Sequence, residues 1–301
     1  MITKKVAVFS GGGAKIPITA SILAELENKG FNIRDFDLFV GASAGAILSS
    51  VIGLTNLSMS EILIKVPHLL KNTFKKVWYP RTPIYERKDF LKVWGELVGL
   101  DKKFGDCKIP TIITSVDAVA DKMVLFKSWE DKNKNEPAVM PVMKSFAAPI
   151  YFGQIADPIN KRVYMDGGVG SYNLGIDIVW EQCILNSWVC DPNIALEIYA
   201  FGTGFSKNNH TYENIVNNRV VNQTLEFFSL GQGGMARVMS RADQVSKMSN
   251  RSEKLENVRF KYYDIEFPDS KLDAMDRIDD KSIATYIELG KKASEKPLVD
   301  I

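Results

Sequence analysis

A serine flanked by small residues is the first place where this chain could do chemistry. Residues 41–45 read GASAG, a G-x-S-x-G pentapeptide between an apolar run and a helix-like run. In a strand–turn–helix setting, Gly41 and Gly45 let the chain turn sharply at Ser43 and present its hydroxyl at a helix N-terminus. There the helix dipole and the first-turn N–H groups favour developing negative charge. A nucleophilic serine needs a base to take its proton and N–H donors for the tetrahedral oxyanion. Residues 10–15, SGGGAK, offer the donors, because a glycine run before a helix can turn several backbone amides into one concavity. Taken alone, that run could equally hold a phosphate or make a bare tight turn. It is not a P-loop, since Lys15 follows the glycine triplet too soon and Ile16 stands where serine or threonine belongs; a dinucleotide fingerprint begun at Gly11 also fails at Ile16.

The base has two readings. In one, Ser43, Asp166 and His210 form a triad in the chain order of α/β-hydrolases. His210, however, stands in a polar run, SKNNHTYEN, and the other histidine, His68, precedes any suitable acid. In the other, Asp166 acts alone. It ends an apolar run and precedes Gly167 and Gly168, and strand ends are where α/β folds place chemistry. A carboxylate is a weak base at its reference pKa, so this reading requires a site that buries it.

The elements that must position these residues follow from apolar periodicity. Residues 6–9 read as a buried strand. Pro17 suits the first turn of a helix carrying Ile18, Ile22, Leu23 and Leu26, with Gly30 at its C-terminal cap. Residues 37–40 give a second strand and the GASAG turn leads into a second helix, so the chain opens as an α/β fold with a parallel sheet. Residues 111–119 and 123–126 predict strands joined by a hairpin at Asp121–Lys122, and 130–137 a polar loop. Residues 162–165 and 195–201 predict strands ending in glycine turns. Residues 219–249 predict helix broken at GQGG, 257–267 a late strand, and 281–295 a closing helix. With neither repeat nor low-complexity linker, residues 1–301 are expected to form one domain.

Composition narrows the function classes. The 301 residues carry 38 basic and 36 acidic side chains, too balanced for a nucleic-acid footprint. No apolar run is long enough for a membrane span, and the start lacks a signal-peptide pattern, so a cytosolic protein is expected. Three cysteines, Cys107, Cys183 and Cys190, match neither a disulfide framework nor a zinc motif and are expected to be buried thiols.

Four blocks, in order, carry a family resemblance: Ser10-Gly11-Gly12-Gly13-Ala14-Lys15, the GASAG elbow, Ala147-Ala148-Pro149-Ile150-Tyr151-Phe152, and Asp166-Gly167-Gly168. Together with a later GTG at 202–204, they make residues 5–204 resemble the patatin-like phospholipases, with 205–301 completing the domain. The resemblance implies a three-layer α/β/α fold with a mostly parallel central sheet. It implies a Ser–Asp dyad, Ser43 as nucleophile and Asp166 as base, needing neither cofactor nor metal. The oxyanion would be held by the loop of Gly11, Gly12, Gly13, Ala14 and Lys15, chiefly around Gly12 and Gly13. The reaction would be hydrolysis of a fatty acyl ester, above all in phospholipids, through an acyl-enzyme. One residue departs from the pattern: Ile16 stands where the family usually has glycine, which puts the oxyanion geometry in question.

The rivals are a carboxylesterase using His210 and a non-catalytic protein that binds an anion at GGG. A lipid enzyme must also reach a bilayer. In residues 65–81, Phe74, Trp78 and Tyr79 interleave with Lys75 and Lys76, a basic, aromatic pattern suited to transient interfacial contact; an ordinary helix packed on the core has the same pattern. A homo-oligomer or an activating partner, and delivery to another cell or packaging in a virion, are further expectations for a membrane-damaging enzyme that must be restrained.

Overall fold

Alternation along the first strand, β1 (Ile2–Phe9), sends Val6 and Val8 into one apolar core and Ala7 and Phe9 into another. A strand covered on both faces belongs to the middle layer of a three-layer fold. The computed structural model describes residues 1–75, 83–169, 173–206 and 235–301. Among the described residues, nine strands form one sheet: β1, β2 (Leu38–Ala42), β3 (Thr111–Asp117), β4 (Lys122–Lys127), β5 (Ile155–Asp157), β6 (Arg162–Asp166), β7 (Ile194–Phe201), β8 (Val258–Tyr263) and β9 (Val299–Asp300). Their order is β5-β6-β3-β2-β1-β7-β8-β9, with β4 also paired to β3. The five central strands run parallel, whereas β4, β5, β6 and β9 are joined by antiparallel pairings at the margins.

Helices cover both faces. On one lie α1 (Ile16–Asn28), α2 (Ala44–Leu54), α3 (Met59–Thr73) and α4 (Arg87–Leu97). The short α5 (Asp131–Lys134) breaks the expected polar loop, and α6 (Val139–Ser145) packs on β3 and β6. On the opposite face lie α7 (Ile176–Leu185) and α8 (Met235–Ser252), where Ile178, Val179 and Met248 meet Val8, Ile198 and Phe260. The last helix, α9 (Asp280–Ala293), returns to the first face against α1. α1 begins with Pro17 in its first turn and ends before Gly30, whose φ of +90° is a left-handed cap.

Two further expectations change. The late strand stops at Tyr263, and a further strand, β9, pairs with it. Of the three cysteines only Cys183 is fully buried; Cys107 is half-buried and Cys190 exposed. Burial pushes both the Cys107 and Cys183 thiols up to about 12, which keeps them protonated and inert. Among the described residues, no helix is long and apolar enough to cross a membrane.

Candidate active site

Strand register brings the distant blocks to one edge. Phe9 pairs with both Gly41 and Phe201, and Phe201 pairs with Tyr263. The rings of Phe9, Phe201 and Tyr263 stack in succession at 5.7 Å, so β1, β7 and β8 end level. The glycine loop, the GASAG turn and the GTG turn all leave this edge. Asp166 arrives from the other direction. β6 runs antiparallel to β3, and Asp166 pairs with Ser115, one residue beyond Thr114, the partner of Ala42.

Ser43 adopts φ 52° and ψ −119°, a left-handed conformation rare for a residue with a side chain, and caps the N-terminus of α2. The turn is possible because Gly45 lies on the end of β1: a Cβ there would fall 2.1 Å from the Phe9 carbonyl oxygen. The Ser43 hydroxyl donates to Asp166 Oδ2 at 2.7 Å. The other oxygen, Oδ1, accepts the Gly168 N–H at 2.6 Å, which fixes the carboxylate plane. Both side chains are nearly buried, at 5% exposure each. The Gly167 N–H donates to the Ser145 carbonyl, and the Ser43 N–H to Ser145 Oγ at 2.8 Å.

The glycine loop lies against the serine, since a Cβ on Gly11 would come within 2.9 Å of Ser43 Cβ. The Gly11 carbonyl is held away from the site by Asn173 Nδ2 at 3.1 Å and Thr203 Oγ1 at 3.0 Å. The expected five-residue cradle narrows here. The Gly11 N–H already donates to the Asn173 carbonyl, and the Ala14 N–H to the Met275 carbonyl at 2.7 Å. The Lys15 ammonium is fully buried and donates to the Asp273 carboxylate, so it braces the loop. The Gly12 and Gly13 N–H groups donate to no acceptor among the described residues.

An apolar pocket opens above the pair, with Ser43 and Asp166 in its lining beside Ile16, Ile47, Leu69, Phe74, Phe146 and Phe152. Ile16 is the first residue of α1 and donates its N–H to the Gly13 carbonyl. Its side chain therefore forms pocket wall, and the helix start is intact. Phe74 corrects the bilayer expectation: it is 6% exposed, with its ring 5.3 Å from Tyr85 and 5.4 Å from Phe152. The last turn of α3 faces the pocket, and the Ala147–Phe152 block packs around it. Lys75 is exposed, whereas Lys76, Trp78 and Tyr79 lie outside the described residues. His68 sits on the surface of α3 with Nε2 3.4 Å from Glu96, away from the pair, and His210 also lies outside the described residues.

Sequence reasoning missed Ser145, Asn173, Met275 and Asp273. The last two belong to a segment between β8 and α9 that closes over the glycine loop. It is tied down by the Tyr85 hydroxyl, which donates to Asp276 Oδ2 at 2.7 Å. Burial first, and then that hydrogen bond, raise the Tyr85 phenol well above its ordinary pKa, so it remains a donor. No periodicity or motif marks this segment.

The chain is similar to several known proteins. A protein named cGAMP-activated phospholipase from Vibrio cholerae serotype O1 is 25% identical over 194 residues, 56% of this chain and 55% of the relative. Its namesake from Escherichia coli strain TW11681 is 27% identical over 190 residues, 56% of this chain and 53% of the relative. The chain thus spans about half the length of the curated relatives it matches. The solved structure of VipD from Legionella pneumophila superposes with a TM-score of 0.47 at 13% identity, covering 97% of this chain and 66% of that one. The family described as Patatin-like phospholipase matches residues 7–180, a span that holds the glycine loop, Ser43 and Asp166. On that match the chain belongs to the patatin-like phospholipase family.

Proposed function

We propose that this chain hydrolyses fatty acyl esters of membrane phospholipids through an acyl-enzyme on Ser43. The observation that carries the reading is the 2.7 Å hydrogen bond from Ser43 to Asp166 in the lining of an apolar pocket. Asp166 takes the Ser43 proton as the oxygen attacks the acyl carbonyl. The Gly12 and Gly13 amides meet the developing oxyanion, and the leaving alkoxide receives the proton from Asp166 as the tetrahedral intermediate collapses. Water then attacks the acyl-enzyme by the same route, and the apolar pocket holds the acyl chain. The direct contact supports a dyad, because the carboxylate already occupies the place where an imidazole would stand.

The test is mass spectrometry of liposomes incubated with wild type and with Ser43→Ala. Fatty acid and lysophospholipid are expected from wild type alone; equal product from both would sink the reading. Both relatives carry cGAMP activation in their names, so each arm is run with and without cGAMP. Contact with the bilayer through Lys75, Lys76, Trp78 and Tyr79 belongs to the same proposal and is read by sedimentation with those liposomes.

The pocket wall gives a second prediction. Ile16→Ala opens space beside Ser43, and a methylene in an apolar pocket is worth about tenfold or more in discrimination. Across p-nitrophenyl esters of increasing chain length, kcat/KM is expected to shift toward the longer or branched acyl groups. An unchanged profile would place the acyl chain elsewhere.

A further inference from the structure

One residue touches both halves of the proposed dyad without belonging to either. Ser145 is the last residue of α6, fully buried, and 102 positions from Ser43 in the chain. Its hydroxyl oxygen accepts the Ser43 N–H at 2.8 Å. Its carbonyl accepts the Gly167 N–H at 2.9 Å, and two residues on, the Ala147 carbonyl accepts the Asp166 N–H at 3.1 Å. The end of α6 thus grips the nucleophile by a side chain and the base by the main chain. Helix C-termini leave carbonyls without intrahelical donors, so Gly167 also satisfies a group that the helix itself cannot.

The grip on Ser43 has a specific task. A residue with a side chain held at φ 52° stores strain, and such a conformation persists only when its surroundings over-determine it. On one side, β2 fixes Ala42; on the other, α2 fixes Ala44. The amide of Ser43 lies between them, and its rotation carries the Oγ toward or away from Asp166. Fixing the N–H on Ser145 fixes that rotation. It also commits the Ser43 amide to a protein acceptor, which leaves the oxyanion to other donors.

We infer that Ser145 is a positioning residue for the reaction, holding the strained Ser43 backbone so that its hydroxyl meets Asp166. The inference rests on the Ser43–Asp166 reading above. The chemistry it serves is the acylation step, so its loss is expected in kcat and not in KM.

The experiment measures turnover of a soluble p-nitrophenyl ester per active site, with sites titrated by a fluorophosphonate and folding followed by Tm. Ser145→Ala is expected to lower per-site kcat by about tenfold or more with KM nearly unchanged, because small misplacements of reacting groups are costly. Ser145→Thr keeps the acceptor oxygen and is expected to restore most of that loss. A purely structural role would lower Tm and the number of titratable sites while leaving per-site kcat unchanged, and that result overturns the inference. So does a threonine variant as slow as the alanine one at equal folded fraction. Should the alanine variant not fold, Ser145→Cys decides by the same rule. Sulfur is a weak acceptor, so per-site kcat is expected to fall, and a wild-type value overturns the inference. Ser43→Ala is run beside them. Turnover that survives in Ser43→Ala removes the functional reading itself, whereas turnover lost there but unchanged in Ser145→Ala removes only the positioning role.

Discussion

Asp166→Asn is expected to lower kcat for ester hydrolysis by about a thousandfold or more, while the protein stays folded. The side chains have the same shape, so the hydrogen bond from the Gly168 N–H to Oδ1 can survive the exchange. What changes is the atom facing Ser43. Oδ2 now accepts the serine proton at 2.7 Å; an amide nitrogen in its place can only donate. Ser43 Oγ then has no base, and general-base catalysis typically contributes about a hundred- to ten-thousandfold. Residual activity would come from the glycine-loop amides and from binding in the apolar pocket, as it does when other serine hydrolases lose their base. The measurement is steady-state hydrolysis of a soluble ester, with Tm as the check on folding. His210→Ala is the necessary companion. It is expected to leave kcat unchanged, since Asp166 touches the nucleophile directly. If activity survives in Asp166→Asn and disappears in His210→Ala, the base is histidine and the dyad is wrong.

The parts of the site that were legible in the sequence are those where a local motif carries the geometry. The GASAG turn needs small residues because α2 starts against the end of β1, where a Cβ on Gly45 would fall 2.1 Å from the Phe9 carbonyl oxygen. That steric demand is visible in five consecutive letters. Asp166 was legible from its place before two glycines at a strand end. The sense of its strand was not, because an antiparallel β6 and a parallel one share the same alternation. The residues that support the site were hidden for a different reason. Ser145 and Asn173 act through hydrogen bonds across long stretches of chain, their side chains reaching over 102 and 162 positions, and such pairs leave no periodic trace. Ile16, whose departure from the glycine pattern puts the oxyanion geometry in question, lines the pocket as the first residue of α1. Phe74 misled through its neighbours: the lysines around it suggested a wet surface, while the aromatic block at 147–152 buries it.

The glycine loop itself can be tested by placing a methyl group where the structure leaves no room for one. Gly13 has φ +59°, and a Cβ there would lie 2.3 Å from the Met275 carbonyl oxygen and 3.2 Å from its carbon. Those are backbone atoms, so they cannot rotate aside as a flexible side chain would. Gly13→Ala must therefore displace Met275 or the loop, and either movement breaks the hydrogen bond from the Ala14 N–H to Met275. The amides of Gly12 and Gly13 would shift with it. Removing one preorganised oxyanion donor costs about a hundredfold or more in kcat, and a loss of that size is expected here. Strain alone cannot be the cause, because Gly30 supplies the control. It too is left-handed, at φ +90°, but a Cβ there meets nothing within 4 Å. Gly30→Ala carries the backbone penalty without the collision, about 1–2 kcal/mol of stability, and its kcat is expected to match wild type. Comparing kcat with Tm for the two variants separates loop position from general destabilisation. If Gly13→Ala behaves like Gly30→Ala, losing stability while keeping kcat, the oxyanion is held somewhere other than the glycine loop, and the first-turn amides of α2 behind Ser43 become the place to look.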